Sequence, residues 1–218
     1  MRRFGTMIAA GLIAAQAAPS ALAQPAASPV LPTAPRDAAM TCYWATAAGM
    51  AGAKDQTGVI ASAVWYLLEY LRSAKVPGDP LDHIQAMSSE EFDTGKIFDG
   101  DPAAVAAVCQ QRNPRNSPAA VVLPADAFQR DTLCMAVASL IVGFARSEQE
   151  DTGRSPFLEP ATALMDRIAE RLDDATLAAR GHVGDEAVMK LISASLGRST
   201  LQGGLIGIYR ACEAVSAT

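Results

Sequence analysis

The sequence predicts an all-α protein, with two similar disulfide-stapled helical halves of about four to five helices each packed as one compact helical array. Three observations predict it. No run in residues 38–218 alternates apolar and polar residues cleanly, whereas apolar residues recur at helical spacing between Pro and Gly breaks. The four cysteines fall two to each half, Cys42 and Cys109 and then Cys134 and Cys212. The longest strongly apolar run beyond the N-terminal segment, Asp131–Arg146 (DTLCMAVASLIVGFAR), is hydrophobic on nearly every face. A helix of that kind is buried against several neighbours at once.

The chain begins like an export signal. Arg2 and Arg3 supply a positive start, Met7–Ala18 is apolar, and Ala21-Leu22-Ala23 places small residues where a signal peptidase needs them. Cleavage is expected between Ala23 and Gln24. An apolar stretch of about 12 residues is too short to span a bilayer, which takes ~20. The expected destination is the periplasm, or the medium, with no stable membrane insertion after cleavage.

Removing residues 1–23 lowers Lys plus Arg from 18 to 16 while Asp plus Glu stays at 23, so the formal charge moves from −5 to −7. Such a surface repels phosphate backbones and anionic headgroups, and nucleic acid is excluded as a partner class. Residues 24–37 (QPAASPVLPTAPRD) hold four prolines and little that could build a core. They read as a disordered or extended linker.

The first half spans 38–112. Its opening helix is expected over Ala38–Ala53, where Cys42, Thr46, Gly49 and Ala53 form a small-residue stripe that permits close helix crossing. Gly58–Lys75 follows, with Ile60, Val64, Leu67, Leu68 and Leu71 on one side and the bulk of Trp65, Tyr66 and Tyr70 added. Pro77-Gly78-Asp79-Pro80 stops it. Leu81–Met87 is a short helix, and Ser89 with Phe92 marks a further start. Asp101-Pro102 opens the helix Pro102–Arg112, the carboxylate accepting free amides and the proline suiting the first helical position. Residues 113–124 (NPRNSPAAVVLP) form the connection between the halves.

The second half spans 125–218. Its helices are expected at Ala125–Glu148, Phe157–Leu172, Asp174–Arg180, Asp185–Leu196 and Thr200–Val215, with Gly181 and Gly197 as stops and Ser199 as the last cap. Gly203, Gly204 and Gly207 are read as close-packing positions inside that last helix. The halves align: each opens with a cysteine helix, continues through an amphipathic one (Ala61-Ser62-Ala63-Val64-Trp65 against Ala161-Thr162-Ala163-Leu164-Met165) and ends with a second cysteine.

Export implies oxidised cysteines. The repeat favours Cys42–Cys109 with Cys134–Cys212, while Cys42–Cys134 with Cys109–Cys212 also respects the symmetry. Cys-x-x-Cys and clustered zinc spacings are both missing, so the cysteines read as staples.

Chemistry is sparse. His83 and His182 stand far apart beside proline or glycine breaks and lack metal-ligand spacing. Nucleophile elbows, phosphate loops and dinucleotide fingerprints are missing. The acidic groups Glu90-Glu91-Asp93, Glu148-Glu150-Asp151 and Asp173-Asp174 read as solvated helix ends, and DTGKIFDG at 93–100 lacks the ligand series of a calcium loop. The sequence therefore assigns no catalytic residue, no cofactor and no metal. Cys42, the Tyr66-Leu67-Leu68-Glu69-Tyr70-Leu71 run and Cys109 resemble small exported bacterial α-helical proteins with paired cysteines. The second half departs from that pattern at Asp166-Arg167. The resemblance implies no activity. Two functions are expected from the residues: a non-catalytic binding or accessory protein with a protein partner, or a small exported hydrolase with a site around His83 or His182. Trp65, Tyr66 and Tyr70, or Tyr43 and Trp44, could serve the first as core or as binding surface.

Overall fold

A computed structural model describes residues 29–50, 52–88, 101–114 and 121–216. Among these, the chain is helical throughout, without a strand. The helix start expected at Ser89 and Phe92 and the acidic group at residues 90–93 lie outside the described residues, as do the DTGKIFDG run and the export signal.

α1 covers Pro35–Ala48. It begins three residues before the expected Ala38 because Pro35 supplies a preset helical φ at the first turn. It ends five residues before the expected Ala53, where the Gly49 amide donates to the Thr46 carbonyl. The end of the Pro-rich segment is also more ordered than its composition implies. Leu31 is buried, and the Pro32 carbonyl accepts from Arg112 Nη1 at 2.9 Å.

α2 covers Gln56–Ala74, capped by Asp55, whose carboxylate accepts from the Gly58 amide at 2.7 Å. It closes on Lys75 in the left-handed region, with the Val76 amide reaching back to the Leu71 carbonyl. α3 covers Pro80–Ser88, one residue longer at each end than the expected Leu81–Met87, and α4 covers Pro102–Arg112, as the Asp-Pro signal predicts. Asp79 caps α3 through the Leu81 amide at 2.8 Å and also accepts the Ser193 hydroxyl of the second half.

α5 covers Ala127–Thr152 and is capped by Asp126 on the Gln129 amide. At 26 residues it is about 39 Å long. By length and composition it could cross a membrane, but half of its most apolar window is buried inside the protein. Of Val137, Ile141 and Phe144, which helical spacing from Cys134 puts on one face for the centre of the core, Val137 and Ile141 are fully buried with Leu164, Ile168, Leu196 and Ile208, whereas Phe144 is only partly buried. α6 covers Leu158–Ala169, α7 covers Asp174–Ala179 and α8 covers Asp185–Arg198. α8 runs through Gly197 instead of stopping there, because that glycine faces Pro80 and needs room, not a turn.

The last segment differs most from expectation. Ser199–Leu201 is a 3-10 turn, Gly203 takes φ 149°, and α9 covers only Leu205–Ser216. The Gly203-Gly204 pair breaks the helix, as adjacent glycines commonly do. Gly207 alone keeps the helical, close-packed place expected for all three.

Cys42 is bonded to Cys109 and Cys134 to Cys212, with Cα separations of 5.6 and 5.7 Å; all four cysteines are buried and none is free. α1 is thus tied to α4, and α5 to α9. The halves do not stand apart. α2 packs against α5, α8 and α9, and the buried Trp65 indole donates to the Gly203 carbonyl at 2.8 Å. The carbonyl freed by the glycine break thereby finds a partner in the other half.

Candidate functional site

α1 packs along both α2 and α4. Between them lies an open groove of about 920 Å³. Ala45, Thr46, Ala48 and Gly49 of α1 and its end form the base. Gly58, Val59 and Ser62 of α2, with Ile206 and Arg210 of α9, form one wall, and Ala103, Ala106, Ala107 and Gln110 of α4 form the other. The Cys42–Cys109 bridge fixes the α4 wall to the base.

The stripe expected to admit a crossing helix has a different place. Cys42 is in the bridge, but Thr46, Gly49 and Ala53 line this groove, with Gly49 and Ala53 beyond the end of α1. Eight of the nineteen lining residues are alanine or glycine, so much of the surface is methyl groups or hydrogen. Two cations and two carboxylates also line it, Lys54 and Arg210 offsetting Asp55 and Asp101. Asp55 and Asp101 are committed as helix caps, to the amides of Gly58 and Ala103.

The expected site residues lie elsewhere. His83 is bonded through Nε2 to the Pro77 carbonyl at 3.0 Å, within its own turn. His182 stacks on Phe128 at 5.9 Å, and the Arg180 guanidinium sits 4.8 Å from the same ring. Among the described residues neither imidazole is hydrogen-bonded to a carboxylate, and no three His, Cys, Asp or Glu residues form a metal-holding group. Trp65 and Tyr66 are 2 % exposed and Tyr43 is 8 % exposed, so these rings belong to the core; Trp44 and Tyr70 are partly buried against it.

The chain matches no protein-family model, no curated protein and no solved structure.

Two polar features escaped sequence reading. Glu148, grouped by sequence with an exposed acidic run, is 2 % exposed. Its carboxylate accepts from the Gln56 amide at 2.9 Å, the Thr57 hydroxyl at 2.8 Å and the Ser155 hydroxyl at 2.7 Å. Burial pushes its carboxyl up, but the Ser155 and Thr57 hydroxyls and the Gln56 and Thr57 amides outweigh that and hold it below the ordinary glutamate range. Asp131, also buried, accepts both Arg171 Nε and Nη2 at 3.0 Å, a bidentate pair joining α5 to the end of α6. A signal for Glu148 did exist. Residues two apart on a helix point to nearly opposite sides, so Glu148 and Glu150 could not both be solvated on one face.

A smaller recess of about 260 Å³ lies between Trp65, Glu69, Arg112, Asn113, Pro114 and Thr200. The Thr200 hydroxyl is buried and without a hydrogen-bond partner, yet it is shut off from solvent and so cannot face that open recess. Glu69 is paired with Arg72, and Arg112 with the Pro32 carbonyl.

Proposed function

We propose that this protein is an exported, non-catalytic binding or accessory protein, directed by residues 1–23, cleaved between Ala23 and Gln24, and held in the periplasm or released. Its partner is a protein segment seated in the groove between α2 and α4. One observation carries this reading: an open groove of about 920 Å³ lined in large part by alanine and glycine, with two cations and two carboxylates among its lining residues. Such a surface admits another backbone closely and offers apolar area with modest orienting charge. Two formed disulfides support export, since reducing compartments keep thiols free. We also read the chain as two related halves, 38–112 and 125–218 joined through 113–124. Each half has its first helix bridged to its last, α1 to α4 and α5 to α9.

The groove reading is tested with a plug. Ala107 is exposed and lines the α4 wall, so Ala107→Trp fills the groove without disturbing the core. The native chain and the variant serve as parallel baits in cell-envelope extract from the source organism. A protein retained by the native chain and lost from Ala107→Trp is the expected outcome. Identical retention by both, or none by either, overturns the groove as the binding site.

A further inference from the structure

We infer that Glu148 is an acid-released latch that holds the corner between α1 and α2 to the C-terminal end of α5. The inference is independent of what the groove binds.

Glu148 stands in the last turns of α5, and every donor it receives comes from elsewhere. The Gln56 amide and Thr57 hydroxyl are 92 and 91 residues away at the start of α2, and Ser155 lies in the loop after α5. The carboxylate therefore does for the α2 N-terminus what a local cap does for other helices, from across the molecule. It is the single group described that fastens this corner to α5 by side-chain hydrogen bonds.

The bond set depends on charge. An ionised carboxylate only accepts, and here it takes bonds from one amide and two hydroxyls. Protonation turns one oxygen into a donor, which a hydroxyl can receive only by turning its own proton away, and weakens the remaining acceptor. No cation compensates. Lys54, Asp55, Arg146, Glu150, Asp151, Arg154 and Glu159 are the charged residues on the segments that meet here, and all are exposed. Asp55 is engaged by the Gly58 amide, and none of them forms an ion pair with Glu148. Asp131 is the contrast: the Arg171 guanidinium holds that buried carboxylate by charge.

The direction with pH follows from linkage. The latched carboxyl is held below its ordinary value, so the latch is at full strength above the usual glutamate range. It is lost as pH falls from that range through the lower latched value, and the opening constant rises by at most about tenfold per pH unit across that window. Lys54 and Asp55 line the groove immediately before the latched residues, so release also frees one edge of the groove.

Hydrogen exchange followed by mass spectrometry on the folded, disulfide-intact chain, at a series of pH values, tests this. In the native chain, amides 54–60 lose protection on acidification while the core amides of α5 keep theirs. Glu148→Gln leaves a pH-independent, weakly protected corner. Ser155→Ala, a milder change in the loop, removes the first of the donors that hold the carboxyl down. It should leave the corner looser at neutral pH, with a smaller acid-dependent loss that ends at a higher pH. A structural hydroxyl with no bearing on the carboxyl would not change that pH profile. The inference is overturned if residues 54–60 open only together with α5, or if Ser155→Ala and the native chain share one profile.

Discussion

α4 and α5 each carry one disulfide cysteine, yet α5 buries eleven of its 26 residues while α4 buries only Val105 and Cys109 of its 11. α5 is surrounded by α2, α6, α8 and α9; of the elements described, α4 packs chiefly on α1. The second half is therefore held by side-chain interdigitation, with its disulfide added to an already closed core. At α4 the disulfide takes the place of that packing. It pins a helix whose other face, lined with Ala103, Ala106 and Ala107, borders the groove. A helix that buries little apolar area contributes little hydrophobic free energy, and keeping it in place then falls to a covalent link. That arrangement leaves a stable wall beside an open surface.

The comparison is sharpest at matched core deletions. Ile141 is fully buried among fully buried neighbours, so Ile141→Ala should cost about 3–5 kcal/mol, combining lost transfer energy with an unfilled cavity. Val105→Ala removes two methyl groups from the only apolar side chain that α4 buries besides its cysteine, and should cost about 1.5 kcal/mol. Urea titration of both variants with the disulfides intact gives the two values. Equal costs would mean that α4 is held by packing after all, and that the contrast between the halves is wrong.

Breaking the bridges sharpens it next. Loops of 67 and 78 residues have nearly equal closure entropies, so each bridge should stabilise by about 4 kcal/mol on the chain-entropy account. The difference lies in where structure is lost. In Cys42→Ala/Cys109→Ala, amides 102–112 should exchange close to the rate of open chain while α5 stays protected. In Cys134→Ala/Cys212→Ala, α9 should stay protected, because Leu205, Ile208 and Tyr209 remain buried against the core. If α4 keeps its protection without Cys109, the bridge is not what holds the groove wall.

Much of this was legible from local chemistry, and its failures are instructive. Asp101-Pro102 and Arg112 bound α4 in the sequence as in the structure, because caps and prolines act on their own neighbours. The cysteine pairing that forms is the one the repeat favours, although Cys42–Cys134 with Cys109–Cys212 respects the same symmetry. Pro35 was absorbed into a Pro-rich leader, although proline is favoured at a first helical turn and the chain starts α1 there. Gly203 was read through its spacing to Gly207, whereas its direct neighbour Gly204 was the stronger signal. The groove was not legible, and for Glu148 the helical spacing signals burial but not its partners. Both depend on where α2 lies relative to α4 and α5, and residues 56 and 148 carry no mark of having met.

The smallest expected effect concerns Gly197, the glycine inside α8 that sequence reading treated as a stop. On propensity alone, alanine there should gain up to about 1 kcal/mol over glycine in a helix interior. A Cβ at that position would meet Pro80 Cγ at 3.2 Å, closer than ordinary van der Waals contact. The sign depends on whether Pro80 can yield. It opens α3, and the preceding Asp79 is held twice, by the Leu81 amide and by Ser193 of α8 itself. The proline is thereby tied to the very helix that would push it away. Gly197→Ala should therefore destabilise by about 0.5–1 kcal/mol, and adding Ser193→Ala, which cuts the tie, should shrink that penalty. A thermal-unfolding double-mutant cycle measures the coupling. Strict additivity would show that Pro80 yields freely, and that the first half meets α8 through a looser contact than the hydrogen bonds imply.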